Sequence, residues 1–263
     1  MTHSNKLKAF VAIFALVALL CISGCSCSTQ QSSSAAAIST LSASAEPVMS
    51  QESSSAAAEK IQMPVDFAAL QEQNQDVYAW LYIPNTAVNH PVLQNFLLDN
   101  YYLVHDVYGE ESEYGALYTQ SVNARDFMDP VTIIYGHTYE HDGVVSDDMM
   151  GSLHKYNDQT FFDENPDMYI IMPDKILKYE IIAAYEYDDR HIMNSYDFSD
   201  MEVVQAYFDY VQNPDSMIKY VRAHDRLEAG KDRIVQLSTC THPLSDTGRW
   251  IVTGVLVDEQ SAE

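Results

Sequence analysis

Cysteine is scarce in this chain, and most of it lies at one end. Of four cysteines, Cys21, Cys25 and Cys27 fall near the N-terminus, and Cys240 stands by itself in everything that follows. A disulfide framework after residue 27 is therefore excluded, and Cys240 is either a small buried hydrophobe or a reactive thiol. Positive charge is equally short. There are 14 Lys and Arg against 38 Asp and Glu, a formal net charge of −24. Such a surface repels phosphate backbones, so nucleic acid is not an expected partner. Acidity of this size does keep an exported protein soluble. Glycine is limited to nine residues, with no glycine-rich phosphate loop among them, which argues against a nucleotide cofactor. No cofactor of any kind is implied.

What the chain does have is enough apolar material, 47% of 263 residues, for one substantial domain with appendages. Its 18 tyrosines suit sheets and amphipathic clefts. Lys6 and Lys8 precede an apolar run of 16 residues from Ala9 to Gly24. Residues 1–25 thus read as a signal peptide or signal anchor, with the following chain on the outer face of the cell membrane. Ile22-Ser23-Gly24-Cys25 resembles a bacterial lipobox, which makes Cys25 a lipidation candidate. Residues 26–61 are mostly Ser, Ala and Gln, with Ser32–Ala37 nearly repeated at Ser53–Ala58. They read as a flexible stalk. A folded domain is expected over 62–258, followed by a tail at 259–263.

Within that domain, Asp66–Trp80 has helical spacing of Phe67, Leu70, Val77 and Trp80, with Asp66 as cap. Short β-like runs follow at Trp80–Ile83, Pro91–Gln94, Ala116–Thr119 and Val131–Tyr135. Ser152–Glu164 reads as helix, and Met168–Met172 with Leu177–Tyr187 as a hairpin. Ser199–Gln212 is a second helix capped by Ser199, and Arg233–Thr239 and Arg249–Val257 are closing strands. Many short strands with few helices imply a mainly antiparallel sheet or barrel.

Three patches concentrate reactive groups. The strand Val131–Tyr135 delivers His137 after Gly136, a second strand delivers Cys240, and Arg249 opens the last one. Strand ends are where side chains leave the core for a cleft rim. If the last two strands pair as a hairpin, the loop Thr241–Gly248 brings thiol and guanidinium together. A thiolate can split acyl transfer into two thioester steps, and one imidazole can serve as acid for the leaving amine and base for the incoming one. An arginine keeps its charge where the carbonyl oxygen becomes negative. A bell-shaped rate profile with pH is then expected. His137-Thr-Tyr-Glu-His141 also fits H-x-x-E-H, a zinc pattern that requires a helix. Gly136 before it and Asp142-Gly143 after it favour strand and loop, so no metal is expected.

Leu237-Ser-Thr-Cys240, the arginine nine residues later in Arg249-Trp-Ile-Val252, and Tyr135-Gly-His137 resemble the sortases. Asn89-His-Pro-Val-Leu-Gln94, Asp99-Asn-Tyr-Tyr-Leu103, Gly151-Ser-Leu-His-Lys-Tyr156 and the helix Ser199–Gln212 are similar to class B in particular. The resemblance runs from about Met63 to Val257. It implies an eight-stranded β-barrel with an N-terminal helix and a helix inserted before the cysteine strand. It also implies a cysteine transpeptidase of the Gram-positive cell wall, with Cys240 as nucleophile, His137 as acid/base, Arg249 as oxyanion partner and backbone near Thr239 in support. The implied substrate is a secreted protein with a C-terminal signal of the Asn-Pro-x-Thr-x or Pro-x-Thr-Gly kind, cleaved after Thr. The implied acceptor is a peptidoglycan precursor amine. Some class B enzymes have an acidic residue two positions after the cysteine, where this chain has His242. Two other readings stay open on the residues: a thiol hydrolase or peptidase of the same fold, and a non-catalytic surface module that binds peptides or wall material.

Overall fold

The computed structural model describes residues 65–142, 144–242 and 247–261. The expected leader at 1–25, Cys25 and the stalk at 26–61 lie outside the described residues. The chain starts with helix α1 (Phe67–Gln73), whose N-cap Asp66 accepts from Ala69 N at 2.9 Å. The helix ends seven residues earlier than its spacing suggested. Asn74 stops it by turning its carboxamide onto Asp76 N, Tyr102 Oη and the Val107 carbonyl. Val77–Tyr82 is then free to pair as strand β1, whose β-branched and aromatic residues suit a sheet.

The remaining strands are β2 (Asn89–Leu93), β3 (Leu117–Tyr118), β4 (Val131–Tyr135), β5 (Glu140–His141), β6 (Val144–Val145), β7 (Asp167–Ile171), β8 (Lys175–Asp188), β9 (Lys219–Val221), β10 (Ile234–Cys240) and β11 (Gly248–Ser261). Eight of them run in the order β11-β10-β4-β3-β2-β1-β7-β8, and β8 pairs back onto β11 to close a barrel. Strand β9 extends the free edge of β8 beyond β7. Closure requires bending, and the β8–β11 ladder has register shifts at Thr253/Gly254 and Leu256/Asp258. At Gly254 a Cβ would approach Met168 Cε to 2.5 Å and Tyr179 Cβ to 3.0 Å, so the bend sits where two strands press together. Strand β11 runs to Ser261, past the tail boundary expected at residue 259, because its end pairs with the start of β8 at Lys175.

Side chains alternate across the barrel wall. Leu81, Val92, Leu117, Ile134, Ile170, Tyr179, Leu237 and Val252 come from all eight strands into one interior core. Val131, Ile133, Ile182, Tyr185, Ile234 and Ile251 form a second core outside, beneath helix α4 (Met201–Gln212). That helix buries Val204, Tyr207, Phe208 and Val211, one stripe at helical spacing. Its cap is Asp200, which accepts from Glu202 N at 2.8 Å; Ser199, the expected cap, instead donates to Asp197. A short helix α3 (Ile192–Ser195) precedes it. The stretch 152–164 is divided where one helix was expected. A 3-10 segment, Gly151–Asn157, gives way to α2 (Gln159–Glu164) because Asp158 adopts extended backbone and caps Phe161 N at 2.9 Å.

Beneath α4 a buried polar link joins helix to wall. Tyr207 Oη donates to Gln236 Oε1 at 2.6 Å, while Gln236 Nε2 donates to Thr253 Oγ1 at 3.0 Å. Tyr207→Phe strands the Gln236 carbonyl in an apolar layer. It should cost about 1–3 kcal/mol, measured as a lowered denaturation midpoint.

Candidate active site

Strand pairing dictates where the site forms. Strands β4 and β10 are parallel neighbours, with Tyr135 level with Ser238, so both finish on the same rim of the barrel. Strand β11 is antiparallel to β10 and therefore begins on that rim. His137 follows β4, Cys240 ends β10, and Arg249 opens β11. Cys240 and Arg249 are directly opposed in the ladder, and side chains of such a pair leave the same face.

All three line one cleft of about 220 Å3, together with Tyr135, Ser238 and Ile251. Ser238 precedes Cys240 by two positions and Ile251 follows Arg249 by two, so the cleft lies on the outer face of the wall. Cys240 is a free, half-buried thiol. Thr239 points the other way: it is buried, and its Oγ1 lies 2.8 Å from Thr138 Oγ1.

The imidazole of His137 is oriented by backbone. Its Nε2 lies 2.7 Å from the Leu103 carbonyl. A carbonyl only accepts, so Nε2 carries the proton of that bond, and Nδ1 is the ring nitrogen not engaged by it. Leu103 ends a 3-10 turn, Tyr101–Leu103, that lines the cleft. Arg249 uses one N–H on the Gly248 carbonyl at 3.0 Å. His242 lies 3.3 Å from Glu140 and is mostly exposed. The segment matching H-x-x-E-H is not helical. It leaves β4 and enters the hairpin β5–β6, so His137 and His141 lack the shared helix face that pattern needs. Among the described residues no three metal-ligating side chains converge.

Farther along the cleft, Tyr118 and Tyr135 stack at 5.5 Å. Burial pushes the Tyr118 phenol up to about 12 and raises that of Tyr135 further, so both remain neutral donors. Tyr135 Oη and His191 Nδ1 are buried on the cleft lining without a hydrogen bond.

Sortase B of Listeria monocytogenes is 32% identical to this chain over 190 residues, 72% of each protein. The chain belongs to the sortase B family. Staphylococcus aureus sortase B is 29% identical over 188 residues, 71% of this chain and 72% of that protein. Among solved structures, B. anthracis sortase B in complex with AAEK1 superposes with a TM-score of 0.61 at 29% identity, covering 73% of this chain and 84% of that one. A Staphylococcus aureus sortase B–substrate complex gives 0.60 at 25% identity over the same shares. No protein-family model matches the chain. This sortase is therefore a cysteine transpeptidase, and its closed eight-stranded barrel is the fold that the resemblance implied.

Two contributors to the sortase site were not singled out from sequence. Leu103 acts through a carbonyl, which no side-chain pattern marks. His154 occurs in the Gly151–Tyr156 stretch, but its position behind the cleft follows from contacts far along the chain. Its Nε2 lies 3.1 Å from the Cys240 carbonyl and 3.3 Å from Thr138 Oγ1.

The Leu103 carbonyl depends on a glycine. Gly115 has φ +56°, and a Cβ there would meet the Tyr102 carbonyl oxygen at 2.5 Å and the Leu103 oxygen at 2.8 Å. Gly115→Ala should displace the turn that holds His137. The expected result is a fall in kcat with a stability loss of about 1–3 kcal/mol, read from steady-state kinetics and thermal unfolding together.

Proposed function

We propose that this sortase cleaves a C-terminal sorting signal by attack of the Cys240 thiolate on the scissile carbonyl carbon. The observation that carries the reading is the single cleft lined by Cys240, His137 and Arg249, with thiol and guanidinium opposed across one ladder. As the carbonyl oxygen gains charge, Arg249 and backbone near Thr239 stabilise it. The C–N bond then breaks, protonated His137 gives its proton to the leaving amine, and the acyl group remains as a thioester. An incoming amine attacks that thioester, His137 takes the amine's proton, and the Cys240 thiolate leaves. Atoms and charges return to the start.

The substrate in this reading carries an Asn-Pro-x-Thr-x or Pro-x-Thr-Gly-like signal, and the acceptor is a peptidoglycan precursor amine. A Staphylococcus aureus relative has been solved as a sortase B–substrate complex, which supports substrate binding by this fold. The enzyme would work on the outer membrane face, held there by residues 1–25 as an anchor or through lipidated Cys25. Residues 26–61 would set its reach.

The test is a fluorogenic sorting-signal peptide incubated with purified enzyme, with and without an amine acceptor. Cys240→Ala should abolish turnover, and Arg249→Ala should lower kcat by about 10²–10³. His137→Ala should be severe. His242→Ala should be mild, since His242 is an exposed partner of Glu140. Equal losses at the two histidines, or hydrolysis without amine transfer, would contradict the proposal.

A further inference from the structure

The three residues of the cleft have neighbours in the chain, and those neighbours meet behind it. Thr138 follows His137, Thr239 precedes Cys240, and Trp250 follows Arg249. Alternation turns Thr239 and Trp250 away from the cleft, into the end of the barrel, and Thr138, in the loop after β4, meets Thr239 there. Thr239 joins through Thr138, and Thr138, Trp250 and the Cys240 carbonyl contact one side chain, His154 of the 3-10 segment Gly151–Asn157. Its Nε2 lies 3.1 Å from the carbonyl of Cys240 itself and 3.3 Å from Thr138 Oγ1. Thr138 Oγ1 lies 2.8 Å from Thr239 Oγ1. The imidazole stacks on Trp250 at 5.9 Å between ring centroids, and Trp250 Nε1 donates to the carbonyl of adjacent Leu153 at 2.9 Å.

We infer that His154 is a positioning residue for the transfer reaction, locking the ends of β4, β10 and β11 at the spacing that thiol, imidazole and guanidinium require. The proton location follows from the partners. The Cys240 carbonyl can only accept, so Nε2 bears hydrogen. Burial lowers the pKa of His154, its bond to the Cys240 carbonyl opposes that, and the charge of His242 adds to the lowering. The ring is thus a neutral donor. It adds no second acid beside His137.

Geometry makes the lock consequential. The bonded carbonyl belongs to the residue that carries the nucleophile, so a shift of that peptide plane moves Cβ and Sγ with it. Cys240 is also the last residue of β10, where regular ladder pairing ends. A side chain that merely filled the barrel end would need no donor, and a leucine or phenylalanine would pack as well. A misplacement of about 1 Å at reacting atoms can lower rate by about 10²-fold.

The inference rests on the catalytic assignment of Cys240, His137 and Arg249, and the test keeps the two apart. Purified enzyme and its His154→Phe and His154→Gln variants are compared for kcat, KM and thermal midpoint in the peptide–amine transfer assay, with Cys240→Ala alongside. Phenylalanine preserves the stack on Trp250 and removes the donor; glutamine places an N–H near Nε2 and removes the ring. The expected result is kcat lowered by about 10- to 100-fold in His154→Phe, KM within about two-fold, and recovery to within about five-fold of the parent in His154→Gln. Parental kcat in His154→Phe overturns the inference, as does equal impairment of both variants in proportion to lost stability. Should His154→Phe not fold, His154→Gln decides by itself: a folded variant with kcat reduced more than ten-fold refutes the donor role. Turnover persisting in Cys240→Ala would instead remove the catalytic assignment itself.

Discussion

Everything at this site depends on β10 having a parallel neighbour on one side and an antiparallel neighbour on the other. Parallel pairing with β4 brings two strand ends to one rim, and antiparallel pairing with β11 adds a strand beginning there. His137, about a hundred residues before Cys240 and Arg249, then needs no long loop to meet them. Sheet hydrogen bonds supply the positional accuracy that reacting atoms require, and rigid strands hold it better than connecting segments do. The closed barrel prevents the wall from splaying at this point, because β8 secures the other edge of β11 along most of its length.

Alternation along those strands divides the work. Outward positions, Ser238, Cys240, Arg249 and Ile251, line the cleft. Inward positions, Leu237, Trp250 and Val252, pack in the interior core, and Thr239 is buried beside Thr138. Chemistry and support thus occupy opposite faces of the same few residues. Helix α4 covers the outer wall below the cleft and is tied to it through Gln236, the outward residue two positions before Ser238. The cleft surface is continuous with a packed one.

Strand ends were legible in the sequence because their chemistry is local. An apolar run that stops at histidine or cysteine marks both the element and its exit, and Val131–Tyr135 was located to the residue. The Cys240–Arg249 hairpin followed from a short loop between two such runs. Misreadings occurred where a side chain competed with the pattern. Asn74 ends α1 although Val77 and Trp80 continue its spacing, and Asp158 divides a helical stretch by capping a new one. Asp200 and Ser199 are both good caps, and choosing between them needed the position of Asp197. The supporting layer was illegible for a different reason. Leu103 contributes a carbonyl, and His154 meets partners that only closure of the barrel brings near.

The central claim is that sulfur, imidazole and guanidinium converge on one carbonyl. Its most direct test is the crystal structure of an acyl-enzyme trapped with a thiol-reactive sorting-signal analogue. The account predicts a covalent bond to Cys240 Sγ, the former carbonyl oxygen within hydrogen-bond distance of the Arg249 guanidinium, and His137 on the leaving-group side. An oxygen directed to solvent, with Arg249 turned from it or His137 out of reach, would contradict the account.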